Sequence, residues 1–522
     1  VAGPAFSVDL AEAMIVVPRQ AVDWLVIAPV ALPLAGGALC LMLRSRIDLA
    51  ARLAGLILGL LVILNVGLLY EVSTKGIVMM AMGDWLPPFG IVFTVDVLGA
   101  ILALTTSIVG FAGVIYAGID IDTGRRRFGF HTFYLLLIAG VSGAFLTGDI
   151  FNLYVWFEVL LIASFGLLIL GGERAQLDGA MKYGVLNLFA TTLFLVAVGL
   201  LYGLVGTLNM ADIAVAVTQL PPGAPIGVIA TLFFVAFSMK AAAFPLNFWL
   251  PASYHTPRIV VAAIFAGLLT KVGVYALLRV LVMLLPESRA LLADLVMWVA
   301  VGTMLLGAFG ALAQGELRRL LGFVVISGIG IIMVGVALGS NEGLAGAIFY
   351  SVHSIIVMMA LYLATGAIEQ LVGTSSLRSG AGLYRLDPAL ATLFLILAFA
   401  VSGLPPFSGF WPKVMLVQAT IANGLGWVAA AILFSGFLIT IAMGRVWLLM
   451  FWRDSVGGAP LTRLAAEPGS RTTWMVSITM LVILVIGLGI LPDGLMRASM
   501  EGAQSLTDPA GYIESVLGAG GR

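Results

Sequence analysis

The 522-residue chain is 61% hydrophobic and 10% charged, with a mean hydropathy of +1.13. No water-facing surface of this size can be built from such a composition, which excludes a soluble globular protein and makes the bilayer its solvent. The 26 acidic and 26 basic side chains balance, so no charge excess points to nucleic acid, and the single cysteine, Cys40, excludes an intrachain disulfide framework.

In chain order, residues 1–21 carry no basic segment ahead of an apolar one and do not read as a cleaved signal peptide. Apolar runs of about 20 residues, the length that spans a hydrocarbon core of roughly 30 Å, then lie near 22–43, 49–70, 94–118, 128–147, 150–171, 180–206, 225–250, 258–285, 291–313, 318–339, 344–371, 389–421, 425–452 and 472–491. The expected fold is an all-α polytopic membrane protein of fourteen transmembrane helices. Cys40 reads as a small apolar residue of the first. Asp96, at the start of the third, reads as a capping or interface carboxylate ahead of an accessory relay group.

Loop cations orient these helices. Arg44, Arg46, Arg52, Arg125, Arg126, Arg127, Arg174, Arg258, Arg318, Arg319, Arg378, Arg385, Arg453, Arg463 and Arg471 fall in alternate loops, whereas the other side holds Arg19, Lys75, Arg279, Arg289, Arg497 and Arg522. Cytoplasmic loops collect such charge, so fourteen helices with both termini outside are expected. The expected divisions are helices 1–3 (1–127), two five-helix units (128–285 and 291–452) and helix 14 with its tail (453–522).

Five cations remain inside the apolar runs: Lys182, Lys240, Lys271, Lys413 and Arg445. Lys182 and Arg445 lie close enough to helix ends to snorkel to the interface. Lys240 and Lys271 sit about 20 Å into their runs at ~1.5 Å per residue, near mid-bilayer, and Lys413 is similarly deep counted from Asn423. A charge there costs at least about 3 kcal/mol, so each needs a partner or water. Glu158 is the acid set most clearly inside an apolar run, and one of these lysines is its natural partner. Three lysines against one carboxylate leave a surplus that burial drives towards neutrality, which suits groups that take up and release protons. His353 is the one histidine in mid-helix, and His255 lies in the short loop "PASYHTPR".

Two of the runs are broken. "SMKAAAFPLNFWLP" (238–251) and "SGLPPFSGFWPK" (402–413) each combine a lysine, a Phe-Pro or Pro-Phe pair and a Phe-Trp, with Pro245 in one and Pro405 and Pro406 in the other. Proline removes a helix hydrogen bond, and in a membrane such breaks occur where backbone lines a hydrated cavity, in matching positions of inverted repeats. The breaks fall on helices 7 and 12, the fourth members of the units 4–8 and 9–13. With five helices each, the two units run inverted.

"TGDIFNLYVWFEVLLIASFGLLILGG", "MKAAAFPLNFWLPASYHTP", "AIFAGLLTKVGVYALLRV", "GELRRLLGFVVISGIG" and "VSGLPPFSGFWPK" together resemble the large antiporter-like subunits shared by Mrp-type Na+/H+ antiporters and respiratory complex I. The likeness covers roughly 90–450 and is strongest to the D-type subunits of Mrp complexes. It implies a proton relay through Glu158, Lys240, Lys271, His353 and Lys413, with His255 on the approach to helix 8. It further implies protons and Na+ as transported ions, no cofactor or metal, no enzymatic reaction, and partners that are the other subunits of a hetero-oligomeric complex in the lipid bilayer. Many relatives carry a further lysine beyond the helix 11 histidine, where this chain has Met358 and Met359. The alternative is a proton-pumping subunit of complex I or a membrane-bound hydrogenase, which shares the relay residues. A lipid-modifying enzyme would need an interfacial cluster better than Asp120 and Asp122 beside Arg125–Arg127.

Overall fold

The computed structural model describes residues 14–15, 20, 22–379, 381–453 and 469–518; Arg19, Arg463 and Arg522 of the loop-charge pattern lie outside them. Among the described residues, eleven helices are long and apolar enough to cross a membrane: α1 (Trp24–Met42), α2 (Ile47–Lys75), α3 (Val97–Asp120), α5 (Ile150–Ile169), α6 (Arg174–Val205), α8 (Ile259–Leu284), α9 (Pro286–Ala313), α10 (Leu317–Leu338), α11 (Asn341–Val372), α13 (Gly426–Trp452) and α14 (Ser470–Ile490). Three shorter apolar helices complete the series, α4 (Phe130–Leu146), α7 (Ile226–Ala241) and α12 (Pro388–Ser402). The chain is thus an all-helical polytopic membrane protein.

Two features depart from uniform helices. Val78–Ala81 pairs antiparallel with Val92–Val95, so α3 begins only at Val97, where Asp96 accepts the Gly99 N–H at 2.9 Å. The runs expected at 225–250 and 389–421 each divide: α7 stops at Ala241 before a short helix Trp249–Ser253, and α12 stops at Ser402 before a helix Phe410–Ala422. Both stops have the same cap. Ala242 (φ 60°) and Gly403 (φ 85°) adopt the left-handed conformation. Ala243 N donates to Ser238 O at 2.9 Å as Leu404 N does to Phe399 O at 3.1 Å, while Ala242 N donates to Met239 O and Gly403 N to Ala400 O. This six-to-one, five-to-two pattern satisfies carbonyls that a severed helix leaves open.

Burial places the core. α8 and α11 are buried along their apolar length and α10 nearly so, whereas α1, α2, α6 and α14 are buried over a minority of theirs. Glycines let the central helices approach: a Cβ on Gly307 would lie 2.3 Å from Ser327 N, and one on Gly330 would lie 2.3 Å from Met304 N. Small residues at helix contacts replace the hydrophobic drive that lipid cannot supply.

One end of the bundle is knitted by arginines. Arg125 bonds Asp122, Glu173 (2.6 Å) and Leu170 O (2.8 Å), and Arg445 donates to Leu312 O and Gln314 O at the carbonyl end of α9. At the opposite end the helices Asp493–Thr507 and Ala510–Leu517 lie over a buried ion pair. There Arg279, counted among the helix-end cations of that side, reaches Asp96 Oδ1 at 2.9 Å with both side chains 1% exposed. The Tyr275 and Tyr512 rings stand 5.3 and 5.4 Å from its guanidinium.

Candidate functional site

The lysines of the two breaks sit at the carbonyl ends of severed helices, where the helix dipole favours positive charge. Lys413, in the first turn of Phe410–Ala422, folds back so that its Nζ donates to Ser402 O at 2.6 Å and to Val401 O at 3.4 Å. Gly403 makes room: a Cβ there would lie 2.6 Å from Lys413 Cδ. Lys240 occupies the last turn of α7. Its ammonium stands 5.5 Å from the Phe157 ring centroid and has no hydrogen-bond partner among the described residues.

Lys271 lies on α8 between two wider π-helical turns, Phe265–Leu269 and Leu278–Leu284. Its Nζ donates to Ala266 O at 3.0 Å. Two residues on, a Cβ on Gly273 would be 2.8 Å from Ala241 N and 3.1 Å from the carbonyl carbon of Lys240, so α8 rests directly on the end of α7. His353, on α11, bonds through Nδ1 to Ser408 Oγ at 2.8 Å, and its Nε2 has no partner among the described residues. It lies within coulombic range of both Lys271 and Lys413.

Glu158 lies within coulombic range of Lys240, but among the described residues no cation comes within 4.0 Å of it. The direct ion pair expected from the sequence is absent, for a geometric reason. Along α5, Glu158 shares a face with Phe151, Val155, Ile162 and Ile169, all exposed, and is itself only half-buried. It faces outward from the chain.

The remaining expected site residues lie apart from this row. His255, in the loop between Trp249–Ser253 and α8, bonds Pro251 O through Nδ1 (2.9 Å) and Arg319 Nη2 through Nε2 (3.1 Å). Because a guanidinium only donates, Nε2 carries the lone pair and Nδ1 the proton. Burial, and after it the charge of Arg319, hold this imidazole below its ordinary pKa. His255 lines a cavity of about 380 Å³ at the arginine-knitted end with Glu316, Arg318, Glu369 and Thr374. Lys182 is exposed and pairs with Asp178 at 2.5 Å. Asp96 is the α3 cap and the Arg279 partner described above. Pro245, Pro405 and Pro406 all fall in the connections after α7 and α12. No group of three or more His, Cys, Asp or Glu among the described residues could hold a metal ion.

Sequence reasoning missed Ser408, since a hydroxyl in a Gly-Pro-rich segment carries no distinguishing pattern. It also missed Thr303, whose Oγ1 accepts the Phe244 N–H at 2.9 Å and fixes the α7 break to α9.

Residues 147–440 match the family model described as NADH:quinone oxidoreductase/Mrp antiporter, TM. The chain is 38% identical over 493 residues to the D-type Na(+)/H(+) antiporter subunit of Alkalihalophilus pseudofirmus, covering 94% of this chain and 99% of that one. Among solved structures it is similar to a chain of the Mrp complex from a Dietzia species, with a TM-score of 0.88 and 28% identity over 96% of this chain and 100% of the other. It is also similar to a chain of the membrane-bound sulfane sulfur reductase, an archaeal respiratory membrane complex, with a TM-score of 0.87 and 25% identity over 95% and 100%. The match over both broken helices and the row of buried lysines, at 38% identity across nearly the whole length, leads to one conclusion: the chain belongs to the NADH:quinone oxidoreductase/Mrp antiporter transmembrane family.

Proposed function

We propose that this chain is the proton-translocating, D-type member of a multisubunit Na+/H+ antiporter in a bacterial inner membrane. Protons pass along Lys240, Lys271, His353 and Lys413, Glu158 sets the charge of Lys240, and the proton flow drives Na+ export by the assembly. The observation that carries this reading is the placement of a lysine at each of two identically capped helix breaks, with a third lysine and a histidine between them. Buried polar atoms without partners among the described residues, Lys240 Nζ, Ser238 Oγ, Thr270 Oγ1 and His353 Nε2, fit a path that water enters. In this reading fourteen helices cross the bilayer, α4–α8 and α9–α13 are inverted repeats, and both termini lie outside. The shared six-to-one cap supports the repeat. The 38% identity to an Na(+)/H(+) antiporter subunit over nearly the whole of both chains supports antiport ahead of a redox-driven pump.

Glu158→Ala tests the reading. In everted vesicles carrying the whole complex, dissipation of a pH gradient on adding Na+ is expected to be lost, with every subunit present at its normal level by blot. Near-normal exchange would remove Glu158 from the mechanism.

A further inference from the structure

The connection between α12 and Phe410–Ala422 does more than interrupt a helix. It lies against His353. A Cβ on Gly409 would come within 2.9 Å of both His353 Cε1 and Nε2 and within 2.0 Å of Ala400 O, so the imidazole is flush with bare backbone. The preceding residue, Ser408, is fully buried and bonds His353 Nδ1 at 2.8 Å. The connection is held from behind by α14. Ser408 N donates to Val485 O at 3.3 Å, Trp411 Nε1 donates to Gly489 O at 2.7 Å, and a Cβ on Gly489 would be 2.1 Å from Pro406 O. Ser408 therefore has little freedom to move, and its hydroxyl has one evident job.

We propose that Ser408 is the positioning residue for His353: its hydroxyl engages Nδ1 and leaves Nε2 as the nitrogen through which the proton is exchanged. This rests on the relay reading above. A neutral imidazole carries one proton on either nitrogen. With Nδ1–H donating to Ser408 Oγ, Nε2 presents its lone pair, and that is the atom with no other partner among the described residues. A proton leaving the Lys271 ammonium adds to Nε2 and gives an imidazolium with neutral Lys271. The same Nε2–H then passes to a neutral Lys413, restoring the imidazole and charging Lys413. No other bond changes. Throughout, Nδ1–H stays bonded to Ser408, so the buried imidazolium keeps a partner for one of its two donors. The groups around the ring are Tyr350 on α11 itself, edge-on with centroids 5.5 Å apart, Lys271 from α8 and Lys413 from Phe410–Ala422. None of these carries a negative charge, so the hydroxyl is the group that steadies the protonated ring. The same contact ties the ring to the segment that carries Lys413, five residues on.

The test uses the whole complex in vesicles, with Ser408→Ala, Ser408→Cys and His353→Gln compared for assembly, exchange rate and pH profile. Ser408→Ala is expected to assemble, to slow exchange about tenfold and to displace the pH profile by about one unit, both the worth of about one hydrogen bond. Ser408→Cys, nearly the same size with a weaker donor and acceptor, is expected to fall between it and the parent. His353→Gln is expected to be inactive. If His353→Gln is inactive while Ser408→Ala keeps both rate and profile, the role given to Ser408 is wrong and the relay stands. If His353→Gln exchanges normally, the relay does not pass this ring and the proposal for Ser408 falls with it. If Ser408→Ala and Ser408→Cys both fail to assemble, the hydroxyl serves folding and the proposal is overturned.

Discussion

Lys413 shows how a single side chain reconciles two costs. A charge at mid-bilayer is worth about 3 kcal/mol against insertion, and a severed helix leaves carbonyls that cost about 1–3 kcal/mol each when orphaned; the ammonium on Ser402 O addresses both. Lys413→Met removes the charge and frees the carbonyl, so the two changes nearly cancel. Thermal unfolding of the complex is expected to shift little while exchange is lost. Lys413→Glu places an acceptor against carbonyl oxygens and is expected to be the less stable of the two, in contrast to what the titrating role alone would allow. His255 supplies the pH term. Its imidazole is held below its ordinary value of about 6.5, so the unfolded chain binds the extra proton more readily. Its contribution to stability is therefore full above that value and declines as the pH falls below it. Unfolding temperature measured from pH 8 to 5 should fall less steeply for His255→Gln than for the parent; an unchanged slope would remove His255 as the cause. At this scale the sequence exposed the lysines because each stands alone among apolar neighbours. It hid Asp96–Arg279, whose members are far apart along the chain and meet only through folding.

Among the elements, the breaks were legible because proline and glycine change what a helix can do wherever they occur, and the long runs were legible because the bilayer sets their length. The hairpin Val78–Ala81 with Val92–Val95 was not, since four-residue strands beside an apolar run look like more of that run. The caps now give a sharper expectation than the prolines did. Gly403 has φ 85° and lies where a Cβ would strike Lys413 Cδ at 2.6 Å. Gly403→Ala thus combines a left-handed penalty of about 1–2 kcal/mol with displacement of the lysine, and should lower both thermal stability and exchange. Ala242 occupies the equivalent position of the α7 cap as a non-glycine, at φ 60°. Ala242→Gly is expected to fold at least as stably as the parent, because glycine adopts that conformation without the steric cost. Equal effects of the two substitutions would mean that the caps, though alike in hydrogen bonding, are not where the difference between the breaks resides.

For the molecule as a whole, the outward face of α5 decides what the chain can do alone. A carboxylate on a stripe of exposed apolar side chains meets lipid in an isolated chain, and lipid offers it no hydrogen bond. Glu158 then lacks the surroundings in which the proposed relay has it act on Lys240. A second observation points the same way: among the described residues no three acidic, histidine or cysteine side chains converge into a carboxylate-rich cation site. Purified alone and reconstituted in liposomes, the chain is therefore expected to give no Na+-dependent proton flux, while the complete complex at the same protein density does. The position of Glu158 explains why both proteins must be compared with their Glu158→Gln variants. In the complex that substitution should abolish exchange, because a neutral amide cannot bias Lys240. In the isolated chain it should change nothing measurable. Robust Na+-driven flux from the single chain, sensitive to Glu158→Gln, would put the whole ion path inside this chain.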